Sequence, residues 1–506
     1  MKAALDRWRE VIGSANVVDG EAERIATATT SFATDASVLA ILRPRDRAEV
    51  QACVRIAHEE RIALHPVSRG RNWGYGSRAP SRDAVILDLA RLDRILDFDE
   101  RLAYVTLEPG VTFRQLSEFL RSTQARVFAS VTGGPADGSV IANALERGDG
   151  SGPLGDRFSH VCGLEVVLPT GECVRTGFSR FPGATTEALA TWGLGPSLDG
   201  LFSQSGFGVV TRMTVWLTPY PVHVMLAAVT VDDRQRLPPV VDALRTLRLT
   251  GVTPATTPLW NDLKALSVRS RYPWDEAGGV TPLPTRVRQA MVQRAGLGAW
   301  NGTITLYGAS RAHTRALADV VASSLEGLAN IRFREGPTDP LAVLPEECGP
   351  ALGVPHDLNV ASVYWRKRTP VGTDPDADGC GFLWLSHAAP FVGNHAQLCS
   401  ELVETTVLEG GFEPSIALLG VTPRALSVIA SIAYDRHVPG EDDRARACHD
   451  RLFAQLVERG YPPFRDGVQS RALAPAGDPS TAQFVETLRR AIDPHDVFTT
   501  GDARRR

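Results

Sequence analysis

The stretch Ser68-Arg-Gly-Arg-Asn-Trp-Gly-Tyr-Gly76 decides the fold, and it directly follows the short apolar run Ile62-Ala-Leu-His-Pro-Val67. The apolar run predicts a buried strand, and the glycines after it allow the backbone to approach a ligand closely. Consecutive backbone N–H groups in such a loop form a nest for an anion, to which Arg69 and Arg71 would add positive charge. The loop lacks the GxGxxG pattern, so a dinucleotide bound here would require a fold other than the Rossmann fold.

A second glycine-rich loop, Thr132-Gly-Gly-Pro-Ala-Asp-Gly-Ser139, precedes a predicted helix over Val140–Glu146. The N-terminus of that helix would face an anion, because the first backbone N–H groups of a helix have no partner within it. Glycine content alone also fits two ordinary surface loops. From glycine content alone, ordinary surface loops are the simpler interpretation, and a phosphate-bearing ligand is the alternative.

Length and composition describe a globular protein of two or three domains. The chain has 506 residues, 43% hydrophobic and 22% charged, with a formal net charge of −4, which disfavours nucleic acid or an anionic membrane as partner. Lysine and arginine total 54, of which only Lys2, Lys264 and Lys367 are lysines, leaving 51 arginines. Codon bias explains most of this excess. The scarcity of lysine disfavours Schiff-base chemistry, and a few arginines are expected to serve as fixed charges in a site.

Targeting signals and common catalytic motifs are missing from the sequence. The first ten residues are charged, no apolar run has the roughly 18 residues of a membrane span, and the seven cysteines include no CxxC pair. HExxH, GxSxG and GxxxxGK[ST] do not occur. We therefore expect a cytoplasmic protein without a metal site.

Capping and periodicity predict the order of the elements. Asp46 with Glu49, and Thr112 with Gln115, are helix-start signals, and the second predicted helix ends near Ser122. After Thr218-Pro-Tyr-Pro221 longer units follow, and 369–378 reads as an exposed loop. The remaining predicted strands are 84–87, 103–107, 163–168, 172–176, 208–217, 303–307 and 427–433, and the remaining predicted helices are 237–247 and 312–325.

Ordered motifs along nearly the whole chain resemble the vanillyl-alcohol oxidase / p-cresol methylhydroxylase family of flavoproteins. The first loop resembles the pyrophosphate-binding loop of that family. The other matching motifs are Glu108–Thr112, Asp137–Gly148, Gly155–Phe158, Gly163–Gly171, Arg175–Gly177, Leu201–Thr211, Trp216–Pro219, Tyr434–Arg436 and Ile492–Asp496. The resemblance is strong over about 38–220, fair over 382–505 and weak between.

The resemblance implies an α+β fold in which a p-cresol methylhydroxylase-type FAD-binding domain of two subdomains is covered by an α+β cap domain over the isoalloxazine. It places the FAD domain at 1–220 with a core of about 34–219, the cap (substrate) domain at 221–460, and a C-terminal return to the FAD domain at 461–506. It also implies a homo-oligomer. The residues expected to bind FAD are Val67, Ser68, Arg69, Gly70, Arg71, Asn72, Trp73, Pro135, Gly138, Ser139, Asn143, Gly155, Asp156 and Val209.

The phenol-oxidising members of the family hold a phenolate with two tyrosines and an arginine while a hydride leaves the para side chain for flavin N5. Tyr75 matches one tyrosine, and Gly460-Tyr-Pro-Pro-Phe-Arg465 matches the segment with the other tyrosine and the arginine. Tyr75 and Arg465 are therefore the expected catalytic residues. Phe464, which replaces the second tyrosine, and Trp384 are expected to line the substrate site with them.

Two departures from the family bear on cofactor and product. Phe382 stands where some members tether FAD through His or Tyr, and Asn72 stands near the histidine tether of other relatives, so we expect non-covalent FAD. Gly134 stands where vanillyl-alcohol oxidase has an acid/base aspartate; the nearby Asp137 is three residues on. Without that base, a quinone methide from a para-substituted phenol could lose CO₂ from a side-chain carboxylate and give a vinyl product.

An arginine would orient such a carboxylate, with Arg366, Arg368 and Arg424 as candidates. The alternatives are desaturation or alcohol oxidation without decarboxylation, oxidation of an α-hydroxy acid or a sugar, and a degenerate flavin-binding protein without activity.

Overall fold

The structure is a computed structural model that describes residues 1–337, 349–368, 372–475 and 477–499. In the first 220 residues the helices are α1 (Lys2–Ile12), α2 (Glu21–Ala28), α3 (Arg47–Glu60), α4 (Phe113–Ser122) and α5 (Val140–Leu145). The strands of the same part are β1 (Val17–Val18), β2 (Val38–Leu42), β3 (Leu64–Val67), β4 (Ala84–Asp88), β5 (Ile95–Asp99), β6 (Tyr104–Leu107), β7 (Val127–Phe128), β8 (Val161–Val167), β9 (Cys173–Arg175), β10 (Val209–Trp216) and β11 (Thr218–Pro219).

Both predicted helix starts are confirmed by side-chain caps. The Asp46 carboxylate accepts a hydrogen bond from the backbone N–H of Glu49 at 2.9 Å, and the Thr112 hydroxyl accepts one from Gln115 at 3.0 Å. These caps satisfy backbone donors that have no partner within the helix, so α3 and α4 begin where the sequence predicts.

Two sheets organise this first part of the chain. Strands β1-β2-β4-β3 form a four-stranded sheet in which β2, β4 and β3 run parallel. Strands β5-β6-β10-β8-β9 form an antiparallel sheet, and β7 pairs with β11. Each sheet has its own apolar core, the first around Trp8, Leu42 and Leu87 and the second around Leu107, Leu116 and Leu164. The parallel pairing places the loop after β3 at the carboxyl edge of the first sheet.

The middle of the chain forms one seven-stranded antiparallel sheet in the order β15-β12-β14-β13-β17-β18-β16. Its strands are β12 (His223–Val231), β13 (Thr257–Asn261), β14 (Trp300–Gly308), β15 (Asn330–Glu335), β16 (Cys380–Pro390), β17 (Ser415–Gly420) and β18 (Ala425–Asp435). Its helices are α6 (Leu237–Leu249), α7 (Asp262–Ser267), α8 (Thr285–Ala295), α9 (Arg311–Ser324), α10 (Leu358–Val363), α11 (Gly393–Glu409) and α12 (Glu441–Glu458). Together with the first two sheets it confirms the α+β class.

The end of the chain packs against the first sheet. Helix α13 (Pro479–Ile492) precedes a segment in which Thr499 donates its backbone N–H to the Leu64 carbonyl at 3.0 Å. Val497 and Phe498 are buried in the core around Trp8. This segment and β3 together border the loop over 68–76. Part of the predicted loop over 369–378 lies outside the described residues. No described helix is both long enough and apolar enough to cross a membrane.

Candidate active site

The two faces of the seven-stranded sheet differ in chemistry. Side chains alternate between faces along a strand, so Leu383 and Leu385 on β16 and Val428 on β18 point into the apolar core. The intervening residues on these two paired strands lie on the opposite face, and four of them are Trp384, Ser386, Ser427 and Ser431. This polar face receives residues from the first part of the chain.

Tyr75 joins the loop after β3 to this polar face. Its hydroxyl shares a short hydrogen bond with the Ser386 hydroxyl, and its ring stacks on Trp384 with the ring centroids 6.3 Å apart. Burial raises the pKa of Tyr75, while the positive charge of Arg465 and the Ser386 hydrogen bond both act to lower it. Tyr75 is therefore a neutral, oriented hydroxyl at neutral pH.

Arg465 lies across the Tyr75 ring, with its guanidinium carbon 4.3 Å from the ring centroid. It donates a hydrogen bond to the side-chain oxygen of Asn72 at 2.9 Å. Its Nε is buried and has no hydrogen-bond partner among the described residues. The residue is thus fixed in orientation and keeps an unused donor, as a binding site for an oxyanion requires.

The C-terminal segment that carries Arg465 is held by backbone hydrogen bonds. The N–H of Phe464 donates to the Ser386 carbonyl at 3.2 Å, and the N–H of Val468 donates to the Tyr75 carbonyl at 3.0 Å. The structure therefore brings Tyr75, Trp384, Phe464 and Arg465 together, although they come from three distant parts of the sequence.

Asp149 is a site residue that sequence reasoning missed. Burial raises its pKa to about 7, against the lowering effects of a hydrogen bond from Ser427 and the charge of Arg465. Asp149 also contributes to the electrostatic environment of Tyr75. Its signal in the sequence is slight: a lone aspartate between Gly148 and Gly150, directly after one of the motifs. A carboxyl that titrates near neutral pH is suited to proton transfer.

The first glycine-rich loop and α5 contain buried polar atoms without hydrogen-bond partners among the described residues. Arg69 Nε, Trp73 Nε1 and the side-chain oxygen of Asn143 are buried without hydrogen-bond partners in the described part of the chain. Gly74 and Gly76 have φ angles of 79° and 116°, which residues other than glycine rarely adopt. These two donors and one acceptor fit FAD, whose diphosphate accepts hydrogen bonds and whose hydroxyl and ring N–H groups donate them.

In the second loop, two of the residues expected to bind FAD, Ser139 and Pro135, form hydrogen bonds with neighbouring parts of the protein. The Ser139 hydroxyl accepts a hydrogen bond from the N–H of Ala142 at 3.0 Å and donates one to the Pro109 carbonyl at 2.6 Å. The carbonyl of Pro135 accepts the N–H of Gly138 at 2.9 Å. Ser139 therefore caps α5.

The other expected FAD residues lie around the same loops. Val67 ends β3 and leads into Ser68, which is buried. The carbonyl of Gly155 accepts a hydrogen bond from the N–H of Gly150 at 2.9 Å, and the Asp156 carboxylate accepts one from the Ser159 hydroxyl at 2.7 Å. Val209 is in the apolar core of the first sheet. Arg71 is exposed and pairs with Asp374 at 3.3 Å.

Phe382 and Gly134 are two positions that differ from the pattern of the family that the sequence resembles. Neither has a side chain that can form a bond to FAD or act as an acid or base. Phe382 is fully buried and packs edge-on against Trp384 at a centroid distance of 4.8 Å. Asp137 forms a salt bridge with Arg114 at 2.8 Å. Asp137 is thus engaged at the surface, whereas the charge of Arg465 acts on the pKa of both Asp149 and Glu146.

The three arginines considered for a substrate carboxylate are placed elsewhere. Arg366 is buried between Glu413 at 3.5 Å and Glu441 at 2.8 Å. Arg368 lies over Trp274 with its guanidinium carbon 3.7 Å from the ring centroid, and Arg424 is exposed in the turn before β18. None of the three contacts Tyr75 or Arg465 in the interactions of the described residues.

Comparison with known proteins gives consistent matches. Residues 38–177 match the FAD binding domain family. The chain is 43% identical to 1'-carboxy-chondrochloren decarboxylase from Chondromyces crocatus over 99% of this chain and 97% of that protein. It is 30% identical to the flavoprotein subunit of 4-cresol dehydrogenase (hydroxylating) from Pseudomonas putida over 90% of this chain and 85% of that protein.

Solved structures resemble it over almost its whole length. The crystal structure of p-cresol methylhydroxylase with substrate bound superimposes with a TM-score of 0.90 at 27% identity, covering 99% of this chain and 96% of that one. The isoeugenol complex of 4-ethylphenol oxidase from Gulosibacter chungangensis gives a TM-score of 0.90 at 26% identity with the same coverage.

Proposed function

Since the chain belongs to the vanillyl-alcohol oxidase / p-cresol methylhydroxylase family and is an FAD-dependent oxidoreductase, we propose that it oxidises the side chain of a para-substituted phenol. The observation that carries this proposal is the cluster of Tyr75, Ser386 and Arg465, where a fixed cation with an unused donor stands beside a buried hydroxyl. Bound FAD would supply the acceptor for a hydride.

Arg465 would stabilise the substrate as a phenolate. A guanidinium retains its charge at any physiological pH, and in a buried site it favours the ionised oxygen strongly. The negative charge of the phenolate then drives the hydride from the carbon attached to the ring, which leaves a quinone methide. Tyr75 would donate its hydroxyl hydrogen bond to the same oxygen.

Asp149 would take the phenolic proton. A carboxylate beside a phenolate is unfavourable, and protonation of Asp149 removes that repulsion while Arg465 balances the remaining negative charge. A carboxyl with a pKa of about 7 is well matched to this transfer. The charge of the site is therefore unchanged by the step.

We further propose that the quinone methide loses CO₂ when its side chain bears a carboxylate on the next carbon. The electrons of the broken C–C bond form the new C=C bond, the ring becomes a phenolate again, and no further proton has to be removed. Two observations support this outcome: Gly134 supplies no base to activate water, and a relative at 43% identity is named a decarboxylase.

The test is the product formed from 3-(4-hydroxyphenyl)propanoate by the FAD-loaded protein without oxygen. We expect bleaching of the flavin, 4-vinylphenol and one CO₂ per flavin reduced, and we expect Arg465→Met to lower the reduction rate by about 100- to 1,000-fold. A hydroxylated product formed without CO₂ contradicts the proposed decarboxylation but not the proposed oxidation of a phenol. A flavin that no para-alkyl phenol bleaches, but that an α-hydroxy acid or a sugar does, contradicts the phenol assignment.

FAD is proposed to be held without a covalent bond. Phe382 has no atom that can form such a bond, and the Asn72 side chain is used by Arg465. The groups that would hold the cofactor are the loop over 68–76 and Asn143 on α5.

A further inference from the structure

Lys264 is a buried cation for which the described residues supply no anionic partner. Its side chain is on α7, the residue is 4% exposed, and its ammonium donates one hydrogen bond, to the Ser362 hydroxyl at 3.3 Å. No salt bridge to Lys264 exists among the described residues, and burial alone lowers its pKa to about 8. It is one of three lysines in a chain with 51 arginines.

The other two lysines are either exposed to solvent or paired with a carboxylate, as is usual for this residue type. Lys2 is exposed at the start of α1, and the buried Lys367 forms a salt bridge with Asp435 at 2.7 Å. The carboxylates close to α7 have other partners: Asp262 pairs with Arg288 at 2.7 Å, and Glu413 pairs with Arg366 at 3.5 Å. Because an unpaired buried charge is costly, an arrangement of this kind indicates an anionic ligand.

The ammonium of Lys264 lies between two indole rings of the polar sheet face. It is 5.8 Å from the ring centroid of Trp260 and 5.3 Å from that of Trp384. Trp384 is also the ring on which Tyr75 stacks. Lys264 and Tyr75 therefore contact the same side chain, and the face of the sheet that receives the phenol site also receives the lysine.

The strand register shows that this region is polar and continuous. Trp384 pairs with Ser431, and Ser431 pairs with Ser415 on β17. The Ser415 hydroxyl is buried without a hydrogen-bond partner in the described part of the chain. A polar group that can still form hydrogen bonds therefore lies on the same sheet face as the Lys264 ammonium.

We propose that Lys264 binds the carboxylate of the phenolic substrate, at the end of the molecule away from Arg465. The inference rests on the proposed phenol oxidation and adds to it the residue that selects a carboxylated side chain. Arg465 and Lys264 then hold two anionic groups joined by an aromatic ring and a short chain. Trp384 contacts Lys264 directly and also contacts Tyr75, and Tyr75 in turn contacts Arg465.

Binding of two non-oxidisable ligands to the FAD-loaded protein tests the proposal. 4-Hydroxycinnamate has a phenol, a carboxylate and no sp³ carbon to give a hydride, and 4-hydroxycinnamamide is its neutral counterpart. By titration calorimetry we expect wild type to prefer the carboxylate, and Lys264→Met to weaken that ligand about 10- to 100-fold while the amide is unaffected. Lys264→Arg should keep part of the preference, and the exposed Lys2→Met is the matched control.

The outcomes separate the inference from the function on which it rests. If wild type binds neither ligand, the phenol site itself is wrong. If wild type binds both equally, or Lys264→Met keeps the preference, Lys264 is not the carboxylate-binding residue. We also expect Lys264→Met to keep or raise the melting temperature, since an unpaired buried charge is removed; a lower value would reveal a partner within the protein and overturn the proposal.

Discussion

At the scale of single residues, Asp149 shows how burial turns an ordinary side chain into a titrating group. Burial is the main cause that raises its pKa to about 7, and the charge of Asp156 adds to the shift, while Ser427 and Arg465 act to lower the pKa. This pKa can be tested by experiment, because the protonation state of Asp149 changes within the pH range in which enzymes are assayed.

We predict that Asp149 sets the pH dependence of flavin reduction. Above pH 7 its carboxylate can accept the phenolic proton, so the wild-type rate should rise as the pH passes through about 7 and then level off. Asp149→Asn should lose this inflection and fall by about 100- to 10,000-fold at pH 8. Stopped-flow reduction without oxygen measures both. Asp137→Asn, which changes an exposed carboxylate of the neighbouring loop, should keep the wild-type profile.

The same shift has a consequence for stability. The folded-state pKa of about 7 lies above the ordinary value of an aspartate, so the folded protein binds more protons than the unfolded chain between about pH 4 and pH 7. Ionising Asp149 therefore destabilises the fold progressively over that window. The melting temperature of Asp149→Asn relative to wild type should rise across it and stay constant above. A difference that does not change with pH would contradict the raised pKa.

The residues found from the sequence differ in kind from those that were missed. Tyr75 and Arg465 are in motifs that resemble a known family, and local sequence is enough to place them. Asp149 and Lys264 owe their shifted pKa values mainly to burial, and they interact with Ser427 and Trp384, which are distant from them in the chain and approach them only in the folded protein. A single sequence contains no information on that approach.

At the scale of elements, the loop over 68–76 must fit closely beneath β16. A Cβ built on Gly74 would lie 2.5 Å from a ring carbon of Trp384 and 2.8 Å from one of Phe382, and the residue has a φ of 79°. The backbone of the loop therefore touches two aromatic side chains, one of which, Trp384, also contacts Tyr75 and Lys264.

We predict that Gly74→Ala separates the loop from the sheet. It should destabilise the protein by about 1–3 kcal/mol through the clash, beyond the strain of the backbone angle, and lower the FAD content of the purified protein. Gly251→Ala is the control, because Gly251 has a φ of 78° and nothing within 4 Å of its Cβ position. Thermal unfolding and the flavin-to-protein absorbance ratio measure the two effects. Equal behaviour of the two variants would show that no close fit exists.

Elements with local signals were predictable, and elements defined by long-range pairing were less so. The caps at Asp46 and Thr112 located α3 and α4. In contrast, β5 has the sequence Ile-Leu-Asp-Phe-Asp and is only partly buried. It alternates over only four residues, and two of these are aspartates, a residue type depleted in strands. The pairing of β13 with β17 is likewise set by the sheet and not by either segment alone.

At the scale of the whole molecule, the candidate site exists only where three parts of the chain meet. The loop after β3 supplies Tyr75, the seven-stranded sheet supplies Ser386 and Trp384, and the C-terminal segment supplies Arg465. Among the described residues, both the loop and the C-terminal segment have buried polar atoms without hydrogen-bond partners at this junction: Trp73 Nε1 and Arg465 Nε. A ligand at the junction would therefore stabilise the contacts between these segments.

This arrangement predicts a cofactor that dissociates and that stabilises the whole molecule when it returns. Acid precipitation should leave all FAD in the supernatant, since Phe382 can form no bond to it. After removal of FAD, the apparent melting temperature should rise with added FAD, by the equivalent of about 2.7 kcal/mol at a concentration 100 times the dissociation constant. Riboflavin, which lacks the diphosphate, is the matched control and should have a much smaller effect if the loop over 68–76 binds the phosphates. Flavin that remains in the acid pellet would contradict the non-covalent assignment, and equal stabilisation by riboflavin would contradict the role of the loop.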